Sequence, residues 1–400
     1  MNNSRNQLIQ SEHKLFLQTY KRLDIVPERA EGCRIYDKNG EEYIDFLGGI
    51  AVNLLGHSHP KIINALMEQA KRYLHLSNYF FQDAQIELAE KIVFLSGYSR
   101  VFFSNSGTEA TEGAIKLARR WGYLNNKSEI ISFTGGFHGR TYGALSLMDK
   151  PLYKDSMGPF LESIKILPFN DISYLKDNIN KNTSAIFLEF LQGEGGIVEA
   201  QPDFINEIFE LKEKFNFLVV ADEVQSGVGR TGKFNFFDYY NVKPDIVTIA
   251  KGLGGGLPLG AILTTEKLAD IWTKGMHGTT FGGNALSCAS GRVVLEELEN
   301  GLLDYVITTG NYLKNSLLQL QKDFPDLILE VRGRGLMQGL LLSFEAIKLV
   351  ELLLSQKIIT NATSGNVLRL LPPLIIKNND IDTLHQKLEY CLNKIRKNHE

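Results

Sequence analysis

Two short apolar runs constrain this chain more than any other feature: Phe217-Leu-Val-Val-Ala-Asp222 and Asp245-Ile-Val-Thr-Ile-Ala-Lys251. Both are apolar and largely β-branched. A strand with one wet face alternates apolar and polar residues, whereas a strand buried on both faces reads as a continuous run. The two runs therefore predict inner strands of a sheet covered by helices, an α/β architecture. Each ends in one charge, Asp222 in the first and Lys251 in the second. Ligands of open α/β sheets bind beyond the carboxyl ends of the strands. Neighbouring strands would thus aim these opposite charges into one crevice. Taken singly, Asp222 reads equally well as a helix cap and Lys251 as a solvated residue.

Other functions are excluded by composition. The 400 residues suggest two or three domains, or one large domain with a satellite, and the 44% apolar fraction supports a sizeable core. A net charge of −3 with no long basic run leaves no nucleic-acid footprint. The basic end, Lys394 to Lys397, reads as a solvated helix end. Cys33, Cys288 and Cys391 have no metal-like or redox-like spacing and fit a reduced cytoplasmic protein. The first twenty residues hold Glu12, Lys14 and several Asn and Gln, so no signal peptide is expected. No apolar run approaches the ~20 residues that span a bilayer, so no membrane partner is expected.

In chain order, residues 1–32 read as a short helix plus coil. Residues 33–46 read as a hairpin, with Asn39-Gly40 signalling a tight primed turn. His57 and His59 precede Pro60 without a third ligand nearby, which argues against a metal site; Pro60 instead opens a helix from Lys61 to Tyr73. Val101 to Ser104 is a strand leading to Ser106-Gly107-Thr108-Glu109, where Ser106 and Glu109 match a capping box. This helix start reads equally as a plain cap and as an anion cradle. Ile130–Phe133 and Ala185–Phe190 are further strands, each followed by a glycine-rich turn: Gly135-Gly-Phe137-His-Gly-Arg140-Thr and Gln192-Gly-Glu194-Gly-Gly. An Arg between glycines beyond a strand suits a carboxylate, and a Phe suits a planar ring; taken alone, the stretch reads better as a turn with one buried aromatic. Gly227-Val-Gly229-Arg-Thr-Gly232 fits a dinucleotide fingerprint literally. That fingerprint must open a helix, and Lys233 to Tyr240 has no capped amphipathic start. Helical patterns at 285–299 and 305–322, strands near 327–335 and 339–343, and a last helix from Ile381 suggest a separate α+β unit.

Taken together, these segments resemble the class III, fold-type I aminotransferases that use pyridoxal 5′-phosphate (PLP), from about residue 31 to about 376. Four pieces carry the resemblance: Asn105-Ser-Gly-Thr-Glu-Ala110, Asp222-Glu-Val-Gln-Ser-Gly-Val-Gly-Arg-Thr-Gly232, Ile249-Ala-Lys251-Gly and Thr279-Thr-Phe-Gly-Gly-Asn284. Within the family, 135–141, 192–196 and Asn366-Val-Leu-Arg369 are similar to the acetylornithine aminotransferase branch. Lys251-Gly252 departs from the Lys-Ala of many relatives.

The resemblance implies a large domain (51–285) with a mostly parallel central sheet flanked by helices. It also implies a smaller α+β domain built from 1–50 and 286–400. It implies that Lys251 holds PLP as a Schiff base and then moves the proton, while Asp222 pairs with the pyridine nitrogen. Ser106, Gly107 and Thr108 would cradle the phosphate, with Thr280 added from the second subunit of a homodimer. Phe137 and Val224 would flank the ring, and Gln225 would lie near its hydroxyl. Arg140 would bind the α-carboxylate of N-acetylornithine and Arg369 that of 2-oxoglutarate or glutamate. Glu194 would mask Arg369 while the ornithine derivative is bound, and Thr279 would contact substrate. Other implied activities on the same fold are ornithine δ-, succinylornithine and 4-aminobutyrate transamination. A non-catalytic ligand-sensing domain would need an attached helical module, for which 1–30 is too short.

Overall fold

The computed structural model describes residues 2–397. Its centre is a seven-stranded sheet in the order Arg100–Ser104, Gly260–Thr264, Ile246–Ile249, Leu218–Asp222, Thr183–Leu188, Glu129–Phe133, Ile164–Leu167. Only Gly260–Thr264 runs against its neighbours; the other pairings are parallel. Every residue of Thr183–Leu188, Leu218–Asp222, Ile246–Ile249 and Gly260–Thr264 is buried, as continuous apolar runs require.

Helices cover both faces, and the pleat feeds each one. Leu218 and Val220 join the apolar cluster beneath helix Gly107–Leu124, together with its Ala110, Ala114, Leu117 and Trp121. Val219 and Ala221, one residue out of step, join the larger cluster with Phe204, Ile205 and Ile208 of helix Pro202–Phe215. Asp222 pairs with Thr248 in the parallel register, so its carboxylate and Lys251 leave adjacent strand ends. Adjacency at the carboxyl edge, expected from two runs of sequence, is what the sheet delivers.

One further sheet joins the two ends of the chain. Pro27–Glu31, Arg34–Asp37 and Glu42–Asp45 form an antiparallel meander whose last strand pairs in parallel with Ile358–Ile359. Ile328–Arg334, Met337–Leu342, Val367–Leu370 and Asn361–Thr363 form an antiparallel sheet. Helices Leu303–Asp323, Ala346–Ser355 and Asn378–Lys397 accompany it. Helix Pro60–Arg72 begins with Pro at its first turn, as expected.

Some details differ from expectation. A primed turn needs positive φ at both central residues, but in the 37–41 turn only Gly40 has it, at +82°. The Asp37 side chain explains this: it accepts from Asn39 N at 2.8 Å and Glu41 N at 3.0 Å, and Gly40 N donates to Asp37 O at 3.0 Å. The strands Pro27–Glu31, Ile164–Leu167 and Gly260–Thr264 have no counterpart in the sequence reading. After Gly227–Gly232 the chain enters only a short 3-10 segment, Phe236–Tyr240. Among the described residues, no helix is long and apolar enough to cross a membrane.

Candidate active site

A cavity of about 270 Å³ opens at the carboxyl edge of the sheet. Lys251, Asp222, Gly107, Thr108, Phe137, Arg140, Val224 and Gln225 line it, joined by His138 and Glu189. Eight residues singled out from four separate sequence segments thus meet in one place.

Lys251 opens a short 3-10 turn with φ of +43°, a left-handed conformation that costs a non-glycine residue about 1–3 kcal/mol. Tertiary packing must supply that energy, and the result aims the side chain into the cavity. Burial lowers the Lys251 amine from its ordinary value to about 8; the Arg369 charge adds to this, and Glu194, Glu189 and Asp222 oppose it. Asp222 is 4% exposed. Its Oδ1 accepts from Val224 N at 3.1 Å and its Oδ2 bonds His138 Nδ1 at 2.7 Å. Burial alone would lower the His138 pKa, but the hydrogen bond to Asp222 and its charge outweigh that and raise it. His138 is therefore a donor to Asp222 and fixes the orientation of the carboxylate.

The helix Gly107–Leu124 presents its first turn to the cavity. Ser106 caps it, accepting from Glu109 N at 3.3 Å. The reciprocal half of the expected capping box is displaced: the Glu109 carboxylate accepts from Asn105 N at 2.9 Å and Asn105 Nδ2 at 2.8 Å. The first turn thus keeps backbone N–H groups for an anion. A Cβ on Gly107 would lie 2.7 Å from Val224 Cγ1, so only glycine lets the helix end approach this side chain. Thr108 Oγ1 bonds Thr141 Oγ1 at 2.8 Å, tying the cradle to the 135–141 loop.

The two arginines differ in kind. Arg369 is buried; its Nη1 donates to Glu194 Oε1 and, at 3.2 Å, to Gln225 Oε1, while Nε donates to Asn361 Oδ1 at 3.2 Å. Burial would raise the Glu194 carboxyl, but the Arg369 charge and hydrogen bond prevail and hold it below its ordinary value. Arg140 is exposed and stacks on the Tyr153 ring, Cζ 3.5 Å from the centroid. Glu194 and Arg369 adjoin the cavity through Gln225. Thr279 and Thr280 do not reach it within one chain: Thr279 Oγ1 accepts from Asn105 Nδ2 at 3.2 Å, and Thr280 is exposed beside His75 and Asn78.

Two residues escaped the sequence reading. His138 sat in plain view between Phe137 and Gly139, and only the pairing with Asp222 gives it a role. Glu189 followed a strand, and burial beside Asp222 pushes its carboxyl up to about 7.

PLP suits this cavity: a helix N-terminus for its phosphate, a histidine-braced buried carboxylate for its ring nitrogen, and an amine of lowered pKa for its aldehyde. The class III aminotransferase model matches residues 16–392. The chain is 44% identical over 398 residues to the acetylornithine aminotransferase of Methanocaldococcus jannaschii, covering 98% of this chain and 100% of that protein. Among solved structures it is similar to the ornithine aminotransferase of Toxoplasma gondii, with a TM-score of 0.93 and 29% identity, covering 98% of this chain and 95% of that one. That structure has PLP in partial occupancy at its active site. The acetylornithine aminotransferase of Elizabethkingia anophelis gives a TM-score of 0.87 at 34% identity, with coverage of 98% and 99%.

Proposed function

The chain belongs to the class III aminotransferases, PLP enzymes of fold-type I, and from that premise we propose that it moves the terminal amino group of N2-acetylornithine to 2-oxoglutarate. The products are N-acetylglutamate 5-semialdehyde and glutamate, formed in two half-reactions, as a step of arginine biosynthesis. The observation that carries this reading is the unequal pair of arginines: Arg140 makes no ion pair among the described residues, while Arg369 is already neutralised by Glu194. An enzyme that accepts one donor at a terminal amine and another at an α-amine must offer its second carboxylate site only to the second.

When bound, PLP draws electrons from the carbon bearing the transferred amine, so that carbon can release a proton. Lys251 would hold the cofactor through its amine, and that amine would carry the proton. Asp222 keeps the pyridine nitrogen protonated, and His138 keeps Asp222 in place. Gly107, Thr108 and Ser106 would receive the phosphate, Phe137 and Val224 would flank the ring, and Gln225 would lie near its hydroxyl. Arg140 binds the α-carboxylate of N-acetylornithine; Thr279, outside the cavity within one chain, would contact substrate only from a second copy. Arg369 binds that of glutamate or 2-oxoglutarate when Glu194 swings away.

Thr280 would complete the phosphate cradle of a second copy, making the homodimer the smallest whole enzyme. In support, Tyr79 and Phe81, 96% and 101% exposed, flank the turn whose Asn78 bonds Thr279 O, and Phe281 is 59% exposed, apolar surface that invites cover. The visible spectrum tests the whole reading. PLP-loaded protein should lose its visible band on adding N-acetylornithine and regain it with 2-oxoglutarate. Bleaching by ornithine but not by N-acetylornithine would assign the donor to the unacetylated amino acid instead.

A further inference from the structure

Glu189 is a buried carboxylate at the site that the proposed reaction leaves unused. It follows strand Thr183–Leu188, is 5% exposed, and lies between the two glycine-rich loops of the site. Its Oε2 accepts from Phe137 N at 2.8 Å and its Oε1 from Gly193 N at 3.1 Å. One side chain therefore ties the loop of the ring-flanking Phe137 to the residue just before Glu194. The far side of Glu194 is held too, since Thr363 Oγ1 donates to Glu194 O at 2.7 Å. Space closes the remaining freedom. A Cβ on Gly193 would come within 2.2 Å of Gln225 Oε1, and one on Gly195 within 2.8 Å of Gly135 O. The backbone carrying Glu194 is thus fixed on both sides, while its carboxylate alone reaches Arg369.

We propose that Glu189 is a positioning residue for the Glu194 gate: it pins the Gly193 peptide so that the gate opens by rotation of the Glu194 side chain about a fixed backbone, which sets the discrimination between the two amino donors. This rests on the reading of Arg369 and Glu194 given above. A direct chemical role would leave an oxygen of Glu189 turned to the reacting atoms, whereas both oxygens are engaged by backbone N–H groups. Burial and the Asp222 charge raise its pKa, while those two N–H groups favour the ionised form.

The test is a cycle of Glu189→Gln, Glu194→Ala and the double variant. The readout is the ratio of kcat/KM for N-acetylornithine to that for glutamate, each as a single half-reaction. Glutamine keeps the shape but has one acceptor oxygen for two N–H groups. Glu189→Gln should shift the ratio in the direction of Glu194→Ala by roughly tenfold, the scale of one hydrogen bond to a charged group. In the Glu194→Ala background it should shift the ratio by less than about twofold, because coupled residues do not add. Amide exchange of the 190–197 segment, measured on the cofactor-free protein, should quicken in Glu189→Gln and not in Glu194→Ala. Thr363→Val, which releases the other side of Glu194, should move the ratio the same way and covers the case of a Glu189 variant that does not fold. Equal loss with both donors, a full shift in both backgrounds, or unchanged exchange would each overturn the proposal. A ratio untouched by Glu194→Ala alone would remove the gate itself, and that is read in the single variant without reference to Glu189.

Discussion

Replacing Arg369 with Gln should slow the capture of PLP by Lys251 at neutral pH, although Arg369 never touches the aldehyde. Only the free amine condenses with an aldehyde. At an ordinary lysine pKa near 10.5, about one amine in 3,000 is free at pH 7; at about 8, about one in ten is. The fold thus raises the reactive fraction roughly 300-fold. Burial is the first cause and the positive charge of Arg369 the second; Glu194, Glu189 and Asp222 pull the other way. Arg369→Gln deletes the second cause and frees the Glu194 charge, so both changes raise the Lys251 pKa. A rise of about one unit, typical for losing a nearby charge, cuts the free amine at pH 7 about tenfold. The assay is the rate of covalent capture by cofactor-free protein, trapped with borohydride, across pH 6 to about 11. The wild-type profile should level off near pH 8 and that of Arg369→Gln at higher pH, while Glu194→Gln should move the break lower. A wild-type break near the ordinary lysine value, or a break that Arg369→Gln leaves in place, refutes the reasoning.

Three other expectations follow from particular contacts. Gly107→Ala should gain about 0.5–1 kcal/mol of helix propensity but push on Val224, the neighbour 2.7 Å from the added carbon. PLP titration should therefore show a lower affinity with little change in thermal midpoint, and the loss should vanish in a Val224→Ala background. His138→Leu strands Asp222 Oδ2 in a buried site, at a cost of about 1–3 kcal/mol in urea unfolding, with a red or blue displacement of the bound-PLP band as the ring nitrogen loses its fixed partner. The Glu194 carboxyl is depressed in the folded chain, so its stabilisation is complete above the ordinary carboxyl range and lost as pH falls through its lower folded value. The stability gap between wild type and Glu194→Gln should accordingly be open at pH 7 and shrink as pH falls below the ordinary carboxyl range; a gap that widens on acidification contradicts the pairing.

Part of the site was legible from local rules, whereas Val224, Gln225, Arg369 and the Glu194 gate were implied only by the family resemblance. Continuous apolar runs mean doubly covered strands, and strand ends mean ligands, so Asp222 and Lys251 could be placed together without any knowledge of the sheet order. Ser106 was readable as a cap by its spacing, but the partner of Glu109 was not, since Asn105 competes for the same carboxylate. The hairpin at 37–41 was readable and its turn type was not, because the Asp37 side chain selects the conformation. Strand Gly260–Thr264 was hidden by its glycine-rich approach, and Ile164–Leu167 by the Lys165 that interrupts its short apolar run. His138 and Glu189 were invisible for a deeper reason: their roles are relations to Asp222, Phe137 and Gly193, up to 84 residues distant in sequence.

Charge explains why an acidic gate suits a buried arginine. A guanidinium as enclosed as that of Arg369 costs several kcal/mol unless its N–H groups are satisfied, and Glu194, Gln225 and Asn361 satisfy it before any substrate arrives. In the proposed reaction, an incoming α-carboxylate exchanges for the Glu194 carboxylate, like for like. The local charge near Lys251 then stays balanced, and its amine keeps the lowered pKa on which proton transfer depends. The exchange is affordable because the two partners differ in exposure: the Arg369 side chain is 2% exposed and that of Glu194 26%. Glu194 already touches solvent and regains hydration as it leaves, whereas a gate sunk as deep as the arginine would have to carry an unpaired charge through the apolar interior.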